Sequence, residues 1–123
     1  MRSIDVTTGE HLWVHRQRPI FSGSVLTTAG GLLFAGDAAR FLKAFDQETG
    51  EVLWETRLNS PIGGYMMTYE IDGEQYLAVP TGEVAQASSA ASLFPEFPLV
   101  SGSNSLFVFK LPSDTGESAA ANE

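Results

Sequence analysis

Residues 5–13 read Asp-Val-Thr-Thr-Gly-Glu-His-Leu-Trp, and residues 46–54 read Asp-Gln-Glu-Thr-Gly-Glu-Val-Leu-Trp. Six of the nine positions are identical, and the two copies lie 41 residues apart. Each copy has a physical logic. Apolar residues before the second copy (Phe41, Leu42, Ala44, Phe45) predict a strand. Asp46 can accept hydrogen bonds from the backbone ahead of it, and Gly50 can take a positive φ, so residues 46–50 form a turn. Val52 and Trp54 then share one face of the outgoing strand, because strand side chains alternate with period two.

A repeat near 40 residues made of strands and tight turns is the period of β-propeller blades. One such unit cannot bury its own faces and stacks on its neighbours. Trp13 and Trp54 are therefore expected at equivalent sites, each buried between adjacent sheets. The copies are too few to close a ring, so the chain reads as a piece of a larger propeller.

Walking outward places the other strands. Residues 2–6 and 11–15 form a pair, the last two strands of a preceding blade (1–15). Residues 16–22 are expected to be a connecting loop. Strands at 24–28, 32–35, 41–45 and 51–56 make one complete four-stranded antiparallel blade over 24–56, with Ala29-Gly30-Gly31 as a hairpin turn. A third unit, 65–111, has strands at 66–71, 75–79 and 106–111, with Asp72-Gly73 as a strong hairpin signal. It is an incomplete final blade interrupted by a long loop, 81–104, of a length that often carries function. Residues 112–123 are an acidic tail without large apolar residues, expected to be disordered.

Composition agrees with an all-β globular class: 43% hydrophobic residues, with 12 Gly and 6 Pro for many turns. The net charge of −8 argues against nucleic acid, which needs clustered Lys and Arg. No apolar run approaches the ~20 residues needed to span a bilayer, and the chain opens without a signal segment. With no cysteine, disulfides and thiolate metal sites are excluded within these residues. His11 and His15 have the i, i+4 spacing of a helical zinc pair, but on a strand and without a third ligand they read as packing or surface groups. Asp46, Glu48 and Glu51 read as turn and solvent groups. Gly30-Gly31 lacks the Lys-Ser/Thr and the helix of a phosphate loop. No catalytic or metal-binding set is visible.

Four blocks resemble one family. Leu26-Thr27-Thr28-Ala29-Gly30-Gly31-Leu32-Leu33-Phe34-Ala35-Gly36-Asp37 is similar to the Leu-Thr-Thr-x-Gly-Gly-Leu-Val-Phe-x-Gly block of the pyrroloquinoline-quinone (PQQ)-dependent dehydrogenases. Similar too are Lys43 to Trp54, the block from Thr68 and Tyr69 through Asp72-Gly73-Glu74-Gln75-Tyr76-Leu77-Ala78-Val79, and the closing Leu106 to Pro112. They stand in the order that the family shows near its C-terminus.

The resemblance implies an all-β, eight-bladed propeller of four-stranded antiparallel sheets, usually periplasmic, that oxidises alcohols or sugars with PQQ and a calcium or lanthanide ion. The metal polarises the quinone and an aspartate acts as base. In the family those groups come mostly from upstream blades. This chain is thus expected to be a C-terminal fragment, inactive alone and without tight PQQ binding of its own. Its partners would be the upstream blades or a complementary subunit, and the parent's electron acceptor a cytochrome c or a quinone.

The resemblance also carries over cofactor contacts. Phe21 in Pro19-Ile20-Phe21 stands for an aromatic, typically Trp, in a Pro-x-Trp context, here one residue further from the Leu-Thr-Thr block. Thr81 and Gly82 stand in a Gly-rich segment after the Gln-Tyr strand, and residues 81–86 lack the Trp that family members have there, which argues against a close methanol-dehydrogenase relative. Roles as a loop anchor for Phe21 and a turn glycine for Gly82 stay open. A second class remains open as well: a non-catalytic propeller scaffold like the outer-membrane-assembly lipoproteins. The Thr68–Val79 block and the long final loop favour the dehydrogenase.

Overall fold

The computed structural model describes residues 1–82, 91–98, 100 and 102–112. Residues 113–123 of the expected tail, and residues 83–90, 99 and 101 of the expected long loop, lie outside the described residues. Among the described residues, nine strands form three antiparallel sheets. The first pairs β1 (Arg2–Ile4) with β2 (His11–Val14). The second has the order β3 (Phe21–Thr27), β4 (Leu32–Asp37), β5 (Phe41–Asp46), β6 (Val52–Arg57). The third has β7 (Met67–Ile71), β8 (Glu74–Thr81) and β9 (Ser105–Lys110).

The repeated turns match atom for atom. Asp46 Oδ1 accepts from the backbone N–H of Glu48 (2.8 Å) and Thr49 (2.9 Å), and Asp5 Oδ1 accepts from Thr7 (2.7 Å) and Thr8 (3.2 Å). Gly50 N–H returns to Asp46 O and Gly9 N–H to Asp5 O, each glycine at φ +75°. These hydrogen bonds hold the Asp5 and Asp46 carboxyls below their ordinary pKa; for Asp5 the Thr7 hydroxyl is the largest cause, for Asp46 the Thr49 amide. The Asp72-Gly73 hairpin has positive φ at both residues, +52° and +78°, as a type I′ turn requires.

Two packing clusters join the sheets. Between the second and third lie Phe34, Leu42, Ile62, Leu77 and Val79, none more than 2% exposed. Each contributes about 1.5–3 kcal/mol by leaving water. Between the first and second, Leu33, Ala35 and Phe45 are covered by Met1, Trp13 and Phe21. Pairing partners share a face, so β4 sends alternate residues to each cluster and the middle sheet is buried on both sides.

Two expectations change. The second sheet begins at Phe21, not Ser24, because the register shifts between Ser22 and Val25, where Gly23 takes φ +77°. This bulge extends pairing into the segment read as loop. The tryptophans are half-buried, not buried. Trp13 comes from a two-stranded sheet and covers the second sheet from one side, and Trp54 meets a third sheet of three described strands through Phe109, edge to face at 5.5 Å.

Candidate functional site

Antiparallel pairing puts the turns 5–10, 28–31, 46–51 and 71–74 at one end of the sheets. The connections 15–20, 37–41 and 58–66 come to the other end, as do Gly82 and Asn104 at the two edges of the long loop. The turn end carries Asp5, Glu10, Asp46, Glu48, Glu51 and Asp72, whereas the loop end carries Arg16, Arg18, Arg40 and Arg57. The described part of the long loop packs across this basic end: Arg18 Nε donates to Glu96 at 2.6 Å, and its guanidinium lies 4.5 Å from the Phe94 ring centroid. Their side chains stay largely exposed, so the pair is a weak clasp.

All three residues carried over for the cofactor lie at this loop end. Phe21 opens β3 opposite Asp37, and its ring meets His15 and Phe45 edge to face at 5.9 and 6.1 Å. It borders an open cavity of about 400 Å3, with Met1, Val14, His15, Gln17 and Ile20 on its walls. Thr81 is 6% exposed; its hydroxyl donates to Asn59 Oδ1 at 2.8 Å, with the Ser105 carbonyl 3.3 Å away. Gly82 N–H donates to Pro61 O, and a Cβ on Gly82 would collide with the Asn104 carboxamide.

Among the described residues, Phe21 and the Thr81–Gly82 pair do not share a pocket. Thr81 bridges to Ile62, and Ile62 fills the space that a side chain at Gly36 would need. Gly36 pairs with Ser22, so Ile62 lies on the face of the middle sheet opposite to Phe21. The middle sheet stands between them.

A polar network that the sequence reading missed centres on Gln17. Its Nε2 donates to Asp37 Oδ2 (3.1 Å) and to Pro19 O (2.9 Å), and its Oε1 accepts from Lys43 Nζ at 2.9 Å. Asp37 is 1% exposed and also accepts the backbone N–H of Ala39 and Phe41, closing the β4–β5 turn. The signal was there only in part: an Asp after Gly at a strand end suggests a turn, but nothing local links it to a glutamine 20 residues earlier. His11 is exposed, and the His15 ring packs between Phe21 and Phe45. Among the described residues, no three His, Cys, Asp or Glu side chains gather into a metal-binding group. Among them also, no helix is long and apolar enough to cross a membrane.

Residues 1–77 match the family model of the PQQ-binding glucose/ethanol/alcohol dehydrogenase β-propeller domain. The chain belongs to this family. It is 39% identical over 116 residues to the quinoprotein alcohol dehydrogenase PedE of Pseudomonas putida, covering 92% of this chain and 18% of that protein. It is 39% identical over 82 residues to methanol dehydrogenase [cytochrome c] subunit 1 of Paracoccus denitrificans, covering 67% of this chain and 13% of that subunit. Among solved structures, the quinohemoprotein alcohol dehydrogenase ADHIIG of P. putida HK5 superposes with a TM-score of 0.75 at 30% identity, over 89% of this chain and 16% of that one. The chain thus spans under a fifth of the length of these relatives. Its all-β fold of antiparallel sheets is the propeller fold of these dehydrogenases.

Proposed function

We propose that residues 1–123 are the C-terminal sector of a PQQ-dependent dehydrogenase that oxidises alcohols or sugars in the periplasm. The sector packs against upstream blades, or a complementary subunit, and closes part of the cofactor pocket. The observation that carries this reading is the family match over a chain whose sheets leave both outer faces apolar. On the third sheet, Met67, Ile71, Leu106 and Val108 lie on one face and are each at least 50% exposed. Such a face calls for another blade.

The residues present fit the cofactor in part. The Phe21 ring borders an open cavity, and the loop end is basic, which favours an anionic group. Bound PQQ, with calcium or a lanthanide, supplies the two-electron oxidant. Phe21 then serves as an aromatic wall, and Thr81–Gly82 holds the rim through Asn59 and Pro61. The acceptor is a cytochrome c or a quinone, and the sector alone neither binds PQQ tightly nor turns over.

The test is dye-linked oxidation of primary alcohols and of glucose by a longer protein carrying these residues, supplied with PQQ and calcium. PQQ-dependent turnover supports the reading. No turnover with either substrate, and no PQQ uptake, would favour a non-catalytic propeller scaffold.

A further inference from the structure

The Gln17 side chain is tied to two strands of the middle sheet and to its own connection. It donates to Asp37 at the end of β4, accepts from Lys43 on β5, and donates to Pro19 within the connection itself. The orientation of its carboxamide is fixed by chemistry: Asp37 and the Pro19 carbonyl can only accept, and Lys43 can only donate. Its Oε1 is also 3.1 Å from His15 Nε2, so His15 must carry a hydrogen there. The His15 ring in turn packs edge to face on Phe21 and Phe45.

We propose that Gln17 is a positioning residue: it staples the connection to the middle sheet and sets His15 and Phe21 as one aromatic wall of the cavity at the loop end. The reading of that wall as a cofactor contact rests on the function proposed above. Asp37 is nearly inaccessible and its other hydrogen bonds serve the β4–β5 turn, so the turn and the wall move together. Without the Gln17 carboxamide, Lys43 keeps Glu55 and Asp37 as charge partners, but the connection loses its side-chain ties to β4 and β5 and keeps the backbone bond from Ala38 N–H to Ile20 O. Phe21 stays in the β3 ladder, but its ring and that of His15 lose the polar anchor beside them, and the wall loosens.

The experiment compares Gln17→Leu with the milder Gln17→Asn, which is one methylene too short to reach both Asp37 and Lys43. In the 123-residue chain, NMR reads the His15 ring protons, shifted by Phe21 and Phe45, and the amides of Leu77 and Val79 as a folding control. In the longer protein, equilibrium dialysis reads PQQ affinity. The expected result is that His15 moves toward its free shift in both variants while Leu77 and Val79 stay in place. PQQ affinity falls about tenfold, with unchanged turnover once the enzyme is saturated. An unmoved His15 resonance in both variants, with folded third-sheet amides, overturns the positioning role. A displaced His15 with unchanged PQQ affinity keeps the positioning role and overturns the cofactor reading of the wall.

Discussion

Trp13 occupies the space that a side chain on Gly50 would need: a Cβ there would fall 2.5 Å from Cδ2 and Cε3 of the indole. The indole Nε1–H also donates to Gln47 O, in the same turn, at 2.9 Å. One blade's tryptophan therefore docks on the next blade's turn, and Gly50 is selected twice, by φ +75° and by the indole. Gly9 has the same φ and open space around its Cβ position, which separates the two demands.

Gly50→Ala should destabilise the chain by ~1–3 kcal/mol more than Gly9→Ala, since only the first adds a collision to the backbone strain. Urea titration of both variants measures the difference. Equal losses would show that the indole gives way freely.

Trp13→Phe keeps a ring over the turn and removes the hydrogen bond to Gln47 O. The expected cost is about 0.5–1.5 kcal/mol, and Trp13→Ala should cost more through the lost cover over Phe45 and Leu33. Denaturation midpoints of the two variants decide this; a Phe variant as weak as the Ala variant would contradict it.

The Asp46 carboxyl is held below its ordinary value of 3.8 by turn hydrogen bonds, as is that of Asp5. A depressed folded-state pKa contributes stability above the unfolded value, and that stability is lost as pH falls through the folded one. The chain should therefore lose stability on acidification below about pH 4. Asp46→Asn keeps an acceptor oxygen but no titrating proton, so its stability should fall less steeply over that window. Thermal melts between pH 2 and 6 test the slope, and parallel curves would remove Asp46 from the account.

Both outer faces are apolar. Ile4 and Leu12 of the first sheet are 49% and 60% exposed, and Leu106 of the third is 66% exposed. The isolated chain should self-associate or melt without a sharp transition, by light scattering and calorimetry. Charged replacements at Met67 and Val108 should reduce association without unfolding the middle sheet. A monodisperse wild-type monomer with a sharp transition would contradict this.

Local chemistry made much of this legible. Asp46, Thr49 and Gly50 encode a turn, Asp72-Gly73 encodes a hairpin, and the two Trp positions fix the repeat, because each signal lies within a few residues. What stayed hidden depends on residues far apart in sequence. Gln17 finds Asp37 and Lys43 only after three segments converge, and Ile62 seats in the hollow of Gly36 only once two sheets pack. The same holds for the residues carried over to the site. Phe21 was carried over as an aromatic on a connecting loop, whereas it opens β3, and alignment could not reveal that the middle sheet separates it from Thr81 and Gly82.

On the function proposed above, this chain is a sector of a quinoprotein propeller that holds a wall of the cofactor pocket but not the pocket itself. Equilibrium dialysis of PQQ with calcium tests it most directly, run on the 123-residue chain, on a longer protein carrying it, and on that protein with Phe21→Ala. The account predicts no saturable binding by the chain alone, tight calcium-dependent binding by the longer protein, and about two- to tenfold weaker binding by the variant, the ~0.5–1.5 kcal/mol of one aromatic contact. Near-stoichiometric, calcium-dependent binding by the 123-residue chain alone would contradict it.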